Sequence, residues 1–403
     1  MQFHIKTKSK KSMARTGIIT TPHGNINTPY LIPVATAATV RGLDQKDMES
    51  LGAEVLLANT YHLHLRPGEK IIKKLGGLHE FMNWNKPLFT DSGGFQAFSL
   101  GYGMEHNINK IGSFFPGSKT TKKEDMQEKK AVIDDNGITF KAHDSGKLIH
   151  LNPEKSIKIQ QDLGADIILA LDECTSPLSD YEYTKSSMER THKWALESLK
   201  WHKKKTKKTK QSLYGIIQGG EYKDLRLKSA KFISYMDFDG IAIGGSLGKS
   251  KDDMYKILDW VMPLLPKSKP VHLLGIGGIE DVFGCAEKGI DTFDCVLPTR
   301  VARRGSLFIS PGTGGKIKNR FRINIDNAKF KLDKNPIDKD CNCGTCKNYS
   351  RAYLNHLFRT KELAYYRLAS MHNVNFMLRL MEKIRKSINN GNFNKLKKEW
   401  LKA

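Results

Sequence analysis

The chain of 403 residues contains 66 lysines and arginines against 42 aspartates and glutamates, which gives a formal net charge of +24. Hydrophobic residues make up 39%, enough to bury a core, and no stretch reaches the roughly 20 consecutive apolar residues of a membrane-spanning helix. We therefore expect a folded protein without a membrane span. The excess of positive charge favours a polyanionic partner such as a nucleic acid.

The N-terminal segment MQFHIKTKSKKSMARTG is basic but lacks the apolar segment of a secretory signal peptide. Three of the 6 cysteines are crowded into the hexapeptide CNCGTC. This spacing favours a metal site in a reducing compartment over a disulfide framework. Both features predict a cytoplasmic protein.

Short, nearly continuous apolar runs recur along the chain, separated by segments long enough for helices. The eight predicted strands span residues 29–35, 54–59, 86–91, 166–172, 213–218, 240–245, 271–277 and 291–294. Such runs are typical of strands buried on both faces of a parallel sheet. A helix is predicted over 183–202, where apolar residues recur on one face. The alternation predicts the α/β class, as a (β/α)8 TIM-type barrel.

Polar residues and glycines stand at the carboxyl ends of six of these strands. They are Asp91, Asp172, Gln218, Gly244–Gly245, Gly275–Gly277 and Asp294. Barrel enzymes build their active sites at this rim, so we expect a site there. Taken singly, each of these residues could equally cap a helix or form a turn.

Two regions depart from the alternating pattern. Residues 102–130 are polar and lysine-rich, which predicts an exposed insertion, and the composition turns polar after about residue 320. We therefore divide the chain into a catalytic barrel over 1–320, with the insertion near 102–130, and a zinc-binding subdomain with C-terminal helices over 321–403.

The cysteine cluster offers three thiolates, Cys341, Cys343 and Cys346, and an imidazole further along completes a closed tetrahedral shell. His372 and His356 are both candidates for the fourth ligand. Three thiolates and one imidazole are typical of structural zinc, and such a shell leaves no open position for catalysis.

Several motifs together resemble those of the bacterial tRNA-guanine transglycosylases, also called queuine tRNA-ribosyltransferases. They are DSGGFQ (91–96), LDEC (171–174), IIQGG (216–220), AIGG (242–245), FDCVLPTR (293–300) and the cysteine cluster. The resemblance runs from residue 14 to residue 358. It implies a (β/α)8 barrel with one structural Zn2+ per chain, selects His372 as the fourth ligand, and implies a homodimer.

The activity that this resemblance implies is a base exchange in queuosine biosynthesis. Guanine at wobble position 34 of GU(N) tRNAs (Asp, Asn, His, Tyr) is replaced by 7-aminomethyl-7-deazaguanine through a covalent tRNA-enzyme intermediate. Asp294 matches the nucleophile and Asp91 the general acid/base, which is also the proton acceptor. This is the double displacement of retaining glycosidases applied to an N-glycoside.

The resemblance also assigns binding residues. Those matched to the base pocket are Ser92, Gly93, Gly94, Phe95, Asp172, Gln218, Gly244 and Gly245. Those matched to contacts with the tRNA anticodon stem-loop are Gly275, Ile276, Gly277, Gly278, Ile279, Glu280, Asp281, Thr299, Arg300, Val301, Ala302 and Arg303.

One departure leaves the incoming base open. After Gly245 the family usually has Leu-x-Val-Gly-Glu, whereas this chain has SLGKS, one residue shorter and without the glutamate. Cys174 is the residue typical of bacterial enzymes, which use the aminomethyl precursor, so we favour that base over queuine. Two other classes are alternatives: a non-catalytic RNA-binding relative, and a metal-dependent hydrolase suggested by the YHLHL motif at 61–65.

Overall fold

The computed structural model describes residues 1–95, 131–142, 145–205 and 210–402. The insertion expected near 102–130 lies outside the described residues. None of the described helices is long and apolar enough to cross a membrane.

The strands, in chain order, are β1 (Gln2–Lys8), β2 (Arg15–Thr21), β3 (Gly24–Thr28), β4 (Tyr30–Ala35), β5 (Leu56–Ala58), β6 (Leu88–Thr90), β7 (Ala131–Asp134), β8 (Gly137–Lys141), β9 (Leu148–Leu151), β10 (Ile167–Leu169), β11 (Ser212–Ile217), β12 (Gly240–Ile243), β13 (Val271–Leu273), β14 (Thr292–Cys295), β15 (Ser306–Phe308) and β16 (Arg322–Asn324).

The helices are α1 (Gln45–Ser50), α2 (Thr60–Leu65), α3 (Glu69–Lys74), α4 (Leu78–Met82), α5 (Pro153–Leu163), α6 (Tyr181–Lys205), α7 (Lys223–Tyr235), α8 (Lys251–Val261), α9 (Ile279–Glu287), α10 (Leu297–Ala302), α11 (Gly344–Asn348), α12 (Arg351–Arg359), α13 (Leu363–Asn389) and α14 (Phe393–Leu401). Single turns of 3-10 helix span Met262–Leu264, Pro311–Thr313 and Ala328–Phe330.

Eight strands form a closed barrel in the order β10-β11-β12-β13-β14-β4-β5-β6. Each of the eight strands predicted from the sequence falls on one of them, and the predicted (β/α)8 class is confirmed. Their pairing is parallel and in register, with Ile216 opposite Ala242 and Asp294 opposite Ile32. The described residues also form two three-stranded sheets, β1-β2-β3 and β7-β8-β9, and the β15-β16 pair.

Burial explains why the barrel strands read as continuous apolar runs. Every residue of β5, β6, β10, β11 and β12 is buried, so the sequence cannot alternate between an apolar and a polar face. Polar side chains therefore accumulate where the strands end.

The helices begin and end at ordinary signals. The Asn152 side chain accepts a hydrogen bond from Lys155 N at the start of α5, and the helix ends at Gly164 with φ of +81°. The helix predicted over 183–202 is α6, which buries Met188 and Ala195 and packs against α5, α7 and β11.

The chain forms two compact units. One comprises Met1–Phe3, Thr20–His23 and Ala58–Leu274, and the other comprises His4–Ile19, Gly24–Leu57 and Gly275–Ala403. The division at residue 320 that we drew from composition stays a prediction.

A buried ion pair in the second unit anchors the start of β14. Arg15 donates from Nε to Asp291 Oδ1 at 2.9 Å and from Nη2 to Asp291 Oδ2 at 2.5 Å. The Asp291 side chain is fully buried. Breaking such a pair is costly because it leaves an uncompensated charge in the interior.

We expect Arg15→Ala to lower the free energy of unfolding by about 3–5 kcal/mol, measured by urea denaturation. Arg359→Ala is the matched control, because its ion pair with Asp326 is about half exposed, with side-chain exposures of 43% and 51%. The control should change by less than about 1 kcal/mol. Equal losses in the two variants would contradict a special role for the buried pair.

Candidate active site and metal centre

Three of the predicted base-binding side chains meet at the ends of three barrel strands. Gln218, just after β11, donates from Nε2 to Asp172 Oδ2 at 2.6 Å, and Ser92, two residues beyond β6, donates from Oγ to Asp172 Oδ1 at 3.2 Å. All three are buried, and Asp172 lies three residues after β10. Three residues that the sequence analysis assigned to one pocket are therefore in contact through hydrogen bonds.

Burial raises the pKa of Asp172 to about 6, although the hydrogen bonds from Gln218 and Ser92 oppose that rise by stabilising the carboxylate. The neighbouring charge of Glu173 adds to the increase. Asp172 is consequently ionised at pH 7 and becomes protonated as the pH falls through about 6. An ionised carboxylate in this position accepts hydrogen bonds only.

Gly245 lies against the Gln218 side chain. Its φ is +76°, and a Cβ atom at this position would lie 2.0 Å from Gln218 Oε1. Only glycine satisfies both the backbone conformation and the clearance. Gln218 Oε1 is buried without a hydrogen-bond partner. One N–H of the amide is committed to Asp172, so donation to a ligand falls to the other N–H.

Gly94 is equally constrained, because a Cβ atom there would lie 2.7 Å from the Asp172 carbonyl oxygen. Gly93 has a φ of +82°, and Phe95 is 43% exposed. Among the residues predicted to line the base pocket, Phe95 is therefore the one exposed to solvent.

Asp91 follows β6 directly and is fixed by donors that the sequence analysis missed. Its Oδ1 accepts from Thr60 N at 2.8 Å, and its Oδ2 accepts from Asn59 Nδ2. Asn59 also caps α2, accepting from His62 N at 2.9 Å. The signal was present in the sequence as the Asn-Thr pair that follows a strand and opens a helix.

Asp294 lies within β14, and its Oδ1 accepts a hydrogen bond from Gly275 N at 2.9 Å. Gly275 follows β13 with φ of +74°, the first residue of the turn predicted to contact tRNA. Beside Asp294, burial raises the pKa of the Cys295 thiol to about 12, so this neighbour is uncharged. The predicted nucleophile and the predicted tRNA-binding turn are thus joined directly.

The remaining predicted tRNA contacts lie in the segment that leads into α9, in the first turn of α9, and on or just after α10. Glu280 and Asp281 are in the first turn of α9, and Arg300 and Arg303 are on and just after α10. Partial burial lowers the pKa of Arg303, and the like charges of Arg41, Arg300 and Arg304 lower it further. Its buried Nη1 has no hydrogen-bond partner. The positive charges of these four arginines would attract an anion to this surface.

Arg226 on α7 was not anticipated by the sequence analysis. It is fully buried and donates to four backbone carbonyl oxygens at the ends of β11 and β12. In the sequence it looks like one of many basic residues on an amphipathic helix, and no local signal marks it.

The cysteine cluster and His372 come together as predicted. The ligand atoms of Cys341, Cys343, Cys346 and His372 all lie within 4.8 Å of one another. His372 Nδ1 lies 3.6, 3.7 and 3.3 Å from the sulfurs of Cys341, Cys343 and Cys346 in turn. Zinc bonds of standard length in a tetrahedron require about 3.6 Å between nitrogen and sulfur, so the four ligands fit this ion.

A second contact fixes the orientation of the imidazole. His372 Nε2 donates to Phe308 O at 2.7 Å, which leaves the lone pair of Nδ1 directed at the sulfurs. His356 is exposed on α12 and stands outside the group. His372 is therefore the fourth ligand candidate that the geometry supports.

His23, His79 and Asp166 also lie close together, within the same 4.8 Å limit. The two imidazoles are stacked, with ring centroids 3.6 Å apart and planes 19° apart. A metal ion requires ligand lone pairs that converge on one point. In these stacked rings the in-plane lone pairs run side by side instead. Asp166 accepts from His23 Nδ1 at 2.7 Å and from Leu88 N at 2.9 Å, so we interpret the group as a structural hydrogen-bonded cluster.

The histidines of the YHLHL motif do not support a hydrolase. His64 Nδ1 pairs with Glu69 Oε2 at 2.7 Å, and neither His62 nor His64 belongs to a metal-capable group among the described residues.

A parallel barrel with carboxylates at its strand ends and a metal centre of the structural zinc type defines a barrel enzyme. The family model described as queuine tRNA-ribosyltransferase matches residues 9–403. The chain belongs to this family and is a pentosyltransferase enzyme.

Its relatives are similar over the full length. A protein of Archaeoglobus fulgidus is 54% identical over 406 residues, covering 100% of both chains. The queuine tRNA-ribosyltransferase of Herpetosiphon aurantiacus is 46% identical over 96% of this chain and 89% of its own. The queuine tRNA-ribosyltransferase of Caldanaerobacter subterraneus is 44% identical over 100% of this chain and 97% of its own.

We expect His372→Ala to lose the zinc ion, because the variant lacks the only imidazole in the group and three thiolates hold the metal less tightly. Zinc content is measured by elemental analysis after dialysis against a mild chelator. His356→Ala is the matched control and should keep about one ion per chain. Full zinc content in His372→Ala would contradict the assignment of His372 as the fourth ligand.

Proposed function

We propose that this enzyme exchanges guanine at wobble position 34 of GU(N) tRNAs for 7-aminomethyl-7-deazaguanine, as a cytoplasmic step of queuosine biosynthesis. The observation that carries the proposal is the group formed by the buried side chains of Asp172 and Gln218 with the half-buried Gly245 beside them. Its donors and acceptors complement the edge of a guanine-type base. Membership of the queuine tRNA-ribosyltransferase family supports the same reaction.

The base is recognised by complementary hydrogen bonds. Asp172 accepts from the N–H groups of the base, while Gln218 and the Gly245 N–H donate to its carbonyl oxygen. Ser92 holds the carboxylate in place through its own hydrogen bond. A buried polar site of this kind rejects a base that leaves its groups unpaired.

The first displacement forms the covalent intermediate. The Asp294 carboxylate attacks the ribose C1′, the bond from C1′ to N9 of guanine breaks, and Asp91 gives its proton to the departing base. The Gly275 N–H holds Asp294 Oδ1 and so orients the attacking carboxylate.

The second displacement reverses this sequence with a different base. Asp91, now ionised, takes the N9 proton of the incoming base, whose nitrogen then attacks C1′ and releases Asp294. Two inversions retain the configuration of the ribose. Donors from Asn59 and Thr60 keep Asp91 oriented in both steps.

The arginine cluster supports binding of the anticodon loop. Arg41, Arg300, Arg303 and Arg304 lie close enough to depress the pKa of Arg303, and phosphate oxygens would relieve that repulsion. Single-stranded loops splay their bases outward, so the same residues can contact the bases that flank position 34.

Lys249 bears on the choice of incoming base. Its Nζ lies 3.1 Å from Glu221 Oε1, and the lysine side chain is 55% exposed. The ion pair with Glu221 offsets part of the positive charge in the SLGKS segment and so reduces its repulsion of a cationic aminomethyl group. Queuine remains the alternative incoming base.

We also propose a homodimer. Tyr349 and Tyr353 are stacked with ring centroids 5.4 Å apart and are both exposed on the surface of the second unit. Exposed aromatic pairs are typical of protein interfaces.

The test of the reaction follows the release of labelled guanine from position 34, with the aminomethyl base or queuine added in parallel. We expect Asp294→Ala to abolish release while leaving the dissociation constant for tRNA within about threefold, because the lost group forms a bond only after tRNA has bound. Asp237→Ala, at an exposed ion pair, is the control and should react like the wild type. Wild-type release by Asp294→Ala would overturn the nucleophile assignment.

A second prediction follows from the pKa of Asp172, which burial raises to about 6. The carboxylate is the acceptor, so it is lost as the pH falls through that value. The dissociation constant of the aminomethyl base, measured by equilibrium dialysis, should rise about tenfold between pH 7 and pH 5. In Asp172→Asn we expect weak binding with no such pH dependence. A flat profile in the wild type would exclude Asp172 as the acceptor.

A further inference from the structure

Arg226 is a cation in the interior without a carboxylate partner among the described residues. Its side chain is fully buried, and burial lowers its pKa to about 10, which leaves it charged at neutral pH. A buried charge is costly unless it is paired or fully hydrogen-bonded. Among the described residues no carboxylate offsets the free-energy cost of burying Arg226. The hydrogen bonds of its guanidinium group must therefore offset it.

Those hydrogen bonds all go to backbone carbonyl oxygens. Nε donates to Gly220 O at 2.8 Å, and Nη1 donates to Ile217 O at 3.1 Å and to Gly244 O at 3.0 Å. Nη2 donates to Ser246 O at 2.7 Å. Four carbonyl dipoles thus point at one planar cation.

The four acceptors flank two residues of the base pocket. Ile217 and Gly220 lie on either side of Gln218 in the chain, and Gly244 and Ser246 lie on either side of Gly245. Between the two segments the clearance is small, since a Cβ atom on Gly245 would lie 2.0 Å from Gln218 Oε1. A small shift of either segment would therefore change the space and the donors that a base meets.

We propose that Arg226 is a positioning residue, which fixes the segments around Gln218 and Gly245 at the separation that a planar base requires. This inference rests on the base-exchange function proposed above. Arg226 itself does not contact the base. It pre-organises the pocket, so that binding does not have to order the two loops.

Lysine cannot replace arginine in this role. Its ammonium group is a point charge with three donors, whereas the guanidinium group is a rigid fork that reaches several acceptors in one plane. With lysine, at least one of the two segments loses its link, and Gln218 and Gly245 are no longer held together.

The test compares Arg226→Lys with the wild type in the guanine-release assay. We expect KM for the incoming base to rise by about tenfold or more, because misplacement by about 1 Å weakens oriented contacts strongly. KM for tRNA and kcat should change by less than about threefold. Arg351→Lys is the control: this partly buried arginine donates to Asp333 and to Ile337 O in the other unit. It should lose stability without changing KM for the base.

The outcomes separate the two proposals. Absence of guanine release by the wild type with either base would defeat the proposed function itself. Normal release by the wild type together with an unchanged base KM in Arg226→Lys would defeat the positioning role alone. Equal loss of tRNA and base affinity would indicate a general structural role and would also overturn it.

A measurement on the wild type avoids any dependence on the folding of the variant. Hydrogen exchange of the amides in residues 216–221 and 243–248 should already be slow in the free enzyme and change little when the aminomethyl base binds. Fast exchange that becomes slow only with the base would show that the ligand, and not Arg226, orders these segments.

Discussion

Burial of the barrel strands on both faces is the constraint on which the site depends. A strand with no exposed face has no place for polar side chains along its length, so Asp91, Asp172 and Gln218 follow directly or closely after strands. Asp294 is the exception within a strand, and the Gly275 N–H compensates it. The barrel architecture thereby restricts the carboxylates of the site to positions at or near the strand ends.

Backbone groups contribute to holding three charged or titratable residues of the site. Asp91 accepts from an amide N–H, Asp294 accepts from another, and Arg226 donates to carbonyl oxygens alone. A partner fixed in the backbone loses no side-chain entropy and neutralises no charge. The turns that end the strands thereby set the directions of the Asp91 and Asp294 carboxyl groups.

The sequence predicted those parts of the fold that have a periodic or local signal. All eight barrel strands were found because each is a continuous apolar run, and Asp172 and Gln218 were found because each ends one. Spacing alone left His356 as a rival to His372 for the fourth ligand, since the choice depends on which of two helices, α12 or α13, meets the cysteines. Arg226 was missed because nothing local distinguishes a buried cation on a helix from an exposed one. Its role depends on carbonyl oxygens from two segments, at the ends of β11 and β12.

The metal centre also determines which changes in chain length the protein can tolerate. His372 bonds Phe308 O, and the next residue, Asn373, accepts from Phe308 N at 2.9 Å and donates to Ser306 O at 3.0 Å. Two consecutive residues of α13 therefore fix its register against β15, and one of them, His372, also belongs to the cysteine–histidine cluster. An insertion or deletion of a single residue within α13 ahead of His372 would rotate both side chains away together. We therefore expect substitutions along α13 to be tolerated better than insertions or deletions between its start and His372.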